Sequence, residues 1–150
     1  MSRAETERIL DAVRRLYAAT ERFDAAAARQ LGTDRTALRA MNAMELGEVT
    51  PTALGAELGL TSGSVTALVD RLERAGHVAR VADPDDRRRR AVALTPEARA
   101  AADPLYARLG VEIGAAFATL DPPAREAARE ALETLARAFD RAAEGIRSAP

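Results

Sequence analysis

Two stretches of the chain carry side chains whose types and spacing suit recognition of a polyanion. In the first, Val65, Leu68, Val69 and Leu72 fall at i, i+3, i+4 and i+7. A helix turning about 100° per residue gathers these four on one face and sends Gly63, Ser64, Thr66, Ala67, Asp70, Arg71 and Arg74 to the other. That outer face is small and polar at its amino end and basic further along. Small residues let a helix enter a groove about 12 Å wide, hydroxyls exchange hydrogen bonds with base edges, and guanidinium groups hold phosphates. An ordinary amphipathic helix, polar where water meets it, has the same pattern, so this stretch alone leaves both readings open.

The second stretch is Arg87, Arg88, Arg89 and Arg90, preceded by Asp83, Asp85 and Asp86. A projecting arginine fits the narrow, negatively polarised minor groove of DNA. Carboxylates repel phosphate, so Asp86 is expected to hold the backbone or an arginine in place. A solvated, salt-bridged turn is the other reading of such a charge run.

Other chemistry finds little material. The chain lacks cysteine, which excludes disulfides, thiol catalysis, thiol redox sensing and cysteine-ligated metals, and the single histidine, His77, cannot build a histidine cluster. His77 is expected to be structural or surface-exposed. There is no nucleophile beside a base, no phosphate-binding glycine loop and no recognisable acid pair, so an enzyme is not expected, nor any cofactor or metal. The 22 basic residues, all arginine, face 23 acidic ones, so any nucleic-acid partner must be met by a local patch.

A chain of 150 residues suits one domain or one subunit of an oligomer. Alanine accounts for about a quarter of it and aromatics for 3%, so the core must come from leucine, valine and isoleucine. The opening MSRAETERIL lacks the apolar run of a signal peptide, and no stretch approaches the roughly 20 apolar residues that span a bilayer. A soluble cytoplasmic protein without membrane contact is expected.

The elements that must position the two stretches follow from periodicity and punctuation. Ile9, Val13, Leu16, Thr20, Phe23 and Ala27 predict a long amphipathic helix over 5–30, ended by Gly32. Thr33 or Asp34 can cap a second helix bearing Leu38, Met41 and Met44. Thr50-Pro51 opens a third with Leu54 and Leu58, Gly59 closes it, and Thr61 with Ser62 caps the fourth, which Gly76 ends. HVARVA and RAVAL alternate as a β-hairpin whose charged tip is DPDDRRR. Thr95-Pro96-Glu97 restarts helix, and Asp103-Pro104 predicts a kink or break. Leu105, Leu109, Ile113, Ala116 and Leu120 continue a stripe. Asp121-Pro122 starts a last helix with Ala128, Leu132, Leu135, Phe139 and Ala142 on one face, and Ser148 to Pro150 are expected to be disordered.

The run from Val65 to Glu73, then Gly76-His77-Val78, Arg80, Asp83-Pro84-Asp85-Asp86-Arg87-Arg88 and Leu94-Thr95-Pro96-Glu97 resembles the signature of the MarR family of winged helix-turn-helix transcriptional regulators. The flanking helix order resembles the family over nearly the whole chain. Ala98 departs from it, standing where many relatives have glycine, and a helix runs through that position without penalty.

The resemblance implies a mainly α fold with a small β-hairpin wing and long N- and C-terminal dimerisation helices. It divides a single domain, 1–150, into a DNA-binding lobe (33–95) and dimerisation helices (5–30 and 96–147). Stripes on three long helices exceed what one lobe needs to cover its own core, which agrees with a homodimer. The resemblance also implies double-stranded DNA with a pseudo-palindromic operator as partner, and repression relieved by a small organic ligand. Ser62, Gly63, Ser64, Thr66, Ala67, Arg71 and Arg74 are the expected DNA contacts on the helix. Asp86 and Arg88 match the family's Asp-x-Arg, which shapes the wing and sends an arginine, with Arg87 beside it, into the minor groove. Tyr17, Met41 and Met44 either line a cavity for a small aromatic or phenolic effector or simply fill the core. Arg14, Arg15, Arg35 and Arg39 either anchor a carboxylate or are solvated. A protein-interaction module that keeps the fold without binding DNA is the alternative function, and the arginine tip beside a small polar helix face favours DNA over it.

Overall fold

The computed structural model describes residues 1–45, 47–82 and 90–147. In chain order the elements are α1 (Arg3–Gln30), α2 (Arg35–Ala43), α3 (Pro51–Leu58), α4 (Ser62–Arg74), β1 (Val78–Ala82), β2 (Arg90–Leu94), α5 (Pro96–Ala118) and α6 (Pro122–Arg147). They form a mainly helical protein with one two-stranded hairpin, as the sequence predicts. The chain divides into two compact units, Met1–Leu105 and Tyr106–Pro150.

In the first unit each helix begins where a side chain can satisfy free backbone N–H groups. Asp34 Oδ1 accepts from the Ala37 N–H at 2.9 Å, Thr50 Oγ1 from Ala53 at 3.2 Å and Thr61 Oγ1 from Ser64 at 3.3 Å. α1 starts two residues before the predicted boundary because Ser2 and Glu5 form a capping box. Ser2 Oγ accepts from the Glu5 N–H, and the Glu5 carboxylate accepts from the Ser2 N–H. Those bonds hold the Glu5 carboxyl below its usual value. Gly59, with φ of 68°, supplies the left-handed residue that lets α3 turn into α4 within three residues.

The core of this unit is built from leucine, valine, alanine and methionine; isoleucine, also expected there, contributes nothing, since Ile9, Ile113 and Ile146 are all exposed. Leu38, Met44, Leu54, Val65, Val69, Leu72, Val78 and Val92 are its large, almost wholly buried side chains, and Ala98 and Ala102 bring the first turns of α5 against it. Each such aliphatic side chain is worth roughly 1.5–3 kcal/mol of transfer free energy. The hairpin pairs antiparallel from Val78↔Leu94 to Ala82↔Arg90. Val49 adds a single bridge to its outer side, exchanging two 2.9 Å hydrogen bonds with Val92. Thr95 closes the hairpin and opens the next helix. Its hydroxyl donates to the Gly76 carbonyl at 2.7 Å and accepts from the Ala98 N–H at 3.1 Å.

α5 runs unbroken through Pro104, so of the kink or break expected there the break does not occur. Proline removes one N–H and frees the carbonyl of Ala100, but Ala100 and Pro104 are both exposed, and water can take that carbonyl.

In the second unit, Asp121 caps α6 by accepting from the Ala124 N–H at 2.8 Å. Arg125 turns back onto the end of α5, donating to the carbonyls of Phe117, Leu120 and Ala118 at 3.1, 2.9 and 3.3 Å. These are carbonyls that a helix end otherwise leaves to solvent. α6 has no buried residue. Its predicted apolar face exists but stays uncovered: Ala128 and Leu135 are half-buried, while Leu132 and Phe139 are 47% and 60% exposed. The predicted disorder of 148–150 lies outside the described residues.

Candidate nucleic-acid interface

The side chains singled out on α4 divide as a 3.6-residue period demands. Val65, Leu68, Val69 and Leu72 are at most 5% exposed, whereas Ser62, Gly63, Ser64, Thr66, Ala67, Arg71 and Arg74 are all exposed. Burial of the first set against the core fixes the rotation of the helix, and the second set is thereby presented together on one outer surface.

How α4 seats on α3 depends on Gly55. A Cβ at that position would lie 3.1 Å from Val65 Cγ2 and 3.2 Å from the Leu60 carbonyl oxygen, so only glycine admits this crossing without adjustment. The turn itself is held by the Leu60 N–H, which donates to the Gly55 carbonyl at 2.9 Å.

At the amino end of α4 the hydroxyls are held locally but keep capacity. Ser64 Oγ lies 3.0 Å from Thr61 Oγ1, and Thr66 Oγ1 donates to the Ser62 carbonyl at 3.0 Å. A hydroxyl that has spent its proton still has acceptor lone pairs, so Thr66 can receive a bond from a base amino group.

The arginines are more committed than the sequence suggests. Arg71 Nη1 lies 2.7 Å from Asp34 Oδ2, Arg35 pairs with Glu21, and Arg80 on β1 pairs with Asp70 at 2.5 Å and with Glu73. Arg74 donates from Nε to its own helix, to the Asp70 carbonyl at 3.2 Å. Asp34, Arg35, Thr36, Ser64, Arg71 and Arg74 line a groove of about 790 Å³ between the start of α2 and the outer face of α4. Behind it, burial raises the Asp24 carboxyl above its usual value, the neighbouring Glu21 adds to the rise, and Arg35 partly offsets it.

Two features of this surface were missed in the sequence. Asp34 appears there only as a cap, yet it also grips Arg71. Asp70 and Glu73, one helical turn apart, jointly receive Arg80 and so tie α4 to β1. The i, i+3 acid spacing is visible in the sequence, but its partner comes from another element.

Asp86, Arg87 and Arg88 lie outside the described residues. Arg90, the last of the four consecutive arginines, opens β2 and is exposed. Tyr17 is 66% exposed, while Met41 and Met44 are buried at 2% and 0%. The two methionines are thus core residues of the first unit, and the tyrosine is on its surface. His77 is half-buried and joins α4 to the hairpin through its backbone, donating to the Leu72 carbonyl at 2.9 Å and accepting from the Thr95 N–H at 3.0 Å. Among the described residues, no group of three His, Asp or Glu could hold a metal, and no helix is long and apolar enough to cross a membrane.

Three helices, the last exposing a small polar face, followed by an antiparallel hairpin, make a winged helix-turn-helix of the kind found in DNA-binding transcriptional regulators. Residues 31–89 match the model of the MarR family, so this segment is similar to that family. It is 49% identical over 90 residues to the uncharacterized HTH-type transcriptional regulator YcgE of Bacillus subtilis (strain 168), covering 59% of this chain and 58% of that protein. A second relative from the same organism, the uncharacterized HTH-type transcriptional regulator YkoM, is 38% identical over 69 residues, covering 46% of this chain and 45% of its own. The chain thus spans about half the length of the curated relatives it matches. Among solved structures, RV1404 from Mycobacterium tuberculosis superposes with a TM-score of 0.70 at 24% identity over 92% of this chain and 94% of that one. A MarR family protein from Bacillus stearothermophilus gives 0.66 at 19% identity over 93% and 99%. At such identities these two structures speak for the fold.

Proposed function

We propose that the chain is a sequence-specific DNA-binding transcriptional regulator that acts in the cytoplasm as a homodimer on a pseudo-palindromic operator. The observation that carries this reading is the outer face of α4, where small and hydroxyl side chains stand exposed together while the opposite stripe is buried. In this reading residues 33–95 are the DNA-binding lobe. Ser62, Gly63, Ser64, Thr66 and Ala67 meet base edges in the major groove, Arg71 and Arg74 meet phosphates, and the wing sends Arg88, with Arg87 beside it, to the minor groove while Asp86 braces it.

Helices within 5–30 and 96–147 form the dimer. Their support is uncovered apolar surface: Leu16 and Tyr17 on α1 are 52% and 66% exposed, and Leu132, Phe139 and Ile146 recur every seven residues on α6, each exposed. Two equivalent recognition helices related by a two-fold axis meet equivalent half-sites about 10 bp apart.

We further propose that the protein represses and is released by a small organic ligand, aromatic or phenolic in kind, bound elsewhere than at Met41 and Met44, which fill the core. Absence of cysteine leaves thiol oxidation out as a signal. A gel shift on the DNA upstream of the protein's own coding sequence tests the reading. Specific retardation that weakens with salt is expected, and no binding at low salt would favour a protein-interaction module instead.

A further inference from the structure

The arginines lining the groove between α2 and α4 are unequally available to DNA. Arg35 is paired with Glu21 and Arg71 with Asp34, whereas Arg74 has no carboxylate partner among the described residues. Asp34 differs from Glu21 in its place, because it stands inside the groove with Arg71, Arg74 and Ser64. Its two oxygens do different work. Oδ1 accepts from the Ala37 N–H at 2.9 Å and caps α2, which anchors the carboxylate, and Oδ2 faces Arg71 Nη1 at 2.7 Å. Both side chains are about half exposed, 53% for Arg71 and 48% for Asp34, so water and ions reach the pair and a phosphate can compete for the guanidinium.

An arginine neutralised in this way releases fewer counterions when it meets DNA than a free one does, and a fixed carboxylate beside it repels an approaching phosphate. Both effects act on any sequence. We propose that Asp34 is a specificity-determining residue: by holding Arg71 it withholds one phosphate-binding charge per subunit from DNA of arbitrary sequence. Only a duplex whose base edges fit α4 brings a phosphate close enough, for long enough, to share Arg71 with Asp34. Asp34 acts through Arg71 and is a positioning residue. The inference rests on the DNA-binding reading above.

The test uses the full chain with Asp34→Asn, since asparagine caps a helix as well as aspartate does and α2 should keep its stability. Asp34→Ser, a second neutral cap, must behave alike. Affinity is measured on a scrambled duplex and on the upstream duplex over a salt series. Both variants are expected to bind the scrambled duplex about two- to fivefold more tightly per subunit at low salt, from loss of one nearby like charge. The salt slope should steepen by about one per subunit, the ratio between the two duplexes should shrink, and the thermal midpoint should not move. In an Arg71→Ala background, Asp34→Asn should tighten binding to the scrambled duplex by less than it does beside Arg71, because only the carboxylate's own repulsion of phosphate is then removed. An equal rise in that background would mean that Asp34 acts as a general charge, and unchanged or weaker binding by both neutral variants would mean that it restrains nothing; either overturns the proposal. If the wild type binds neither duplex, the DNA-binding reading itself falls, an outcome distinct from a failure of Asp34→Asn in a protein that binds.

Discussion

Gly55→Ala tests whether the crossing of α3 and α4 sets the geometry of the recognition helix. In an open helix interior, alanine is favoured over glycine by about 0.5–1 kcal/mol. Here the new Cβ meets Val65 Cγ2 at 3.1 Å and the Leu60 carbonyl oxygen at 3.2 Å. Neither neighbour gives way readily. Val65 is β-branched and 1% exposed, and Leu60 is tied to Gly55 through a 2.9 Å backbone hydrogen bond. Overpacking of this kind costs about 1–3 kcal/mol, so a net loss of about 1 kcal/mol is expected. Val65→Ala removes the first of the two obstacles while leaving a cavity worth about 2 kcal/mol by itself. The double variant should therefore be more stable than the sum of the single losses, by about 1 kcal/mol of coupling. Urea unfolding followed by far-UV circular dichroism, at fixed protomer concentration, measures all four corners of the cycle. DNA binding should fall in Gly55→Ala and recover partly in the double variant. A Gly55→Ala protein stabilised by the full helix-propensity gain, or a cycle without coupling, would refute the claim that this contact positions α4.

Three further outcomes test the proposed interface. Ser64→Ala or Thr66→Ala should change base preference at one operator position by roughly 1–3 kcal/mol, and an unaltered consensus from binding-site selection would remove both from the reading residues. Arg88→Ala should flatten the salt slope by up to about two per dimer, and Asp86→Ala should weaken binding although it removes a negative charge; tighter binding by the latter would reduce the wing to a solvated turn. Leu132→Glu with Phe139→Glu should dissociate the dimer by light scattering without unfolding the protomer, because both side chains are already exposed within one chain, and a retained dimer would place the interface elsewhere.

Much of this architecture is legible in the sequence because it is written in local rules. Thr50-Pro51, Thr61, Asp121-Pro122 and the glycines at 32, 59 and 76 mark helix ends by satisfying or releasing backbone groups within four residues. The stripe of Val65, Leu68, Val69 and Leu72 follows from period alone, and it identifies the outer face at once. What escapes is what depends on a partner distant in the chain. The Arg80 pairing with Asp70 and Glu73, the Asp34 grip on Arg71, the Val49 bridge to Val92 and the close approach at Gly55 each join separate elements. Of the kink or break expected at Pro104, the break is absent for a related reason. A proline's local penalty is fixed, but whether it ends a helix depends on whether the freed carbonyl has another partner, and exposure decides that.

Those non-local pairs also bear on how a chain with 22 basic and 23 acidic residues can serve DNA at all. Net charge governs approach from a distance, and within about 8 Å, the physiological screening length, the local arrangement governs. On α4 the acidic side chains point to partners of their own: Asp70 and Glu73 are both engaged by Arg80. Their charge is thereby compensated at the helix flank, and the two carboxylates also fix the strand that leads into the wing. A face so balanced gains little from phosphate attraction alone, in contrast to a surface of unpaired arginines, whose affinity would be large and blind to sequence. In the proposed reading its discrimination comes from fit at the small, hydroxyl-bearing end of α4, where contacts would form only with the right base edges. On the proposed reading, charge compensation therefore shifts the balance of this interface from affinity toward discrimination, and the buried stripe that fixes the rotation of α4 determines which side chains are presented to do the discriminating.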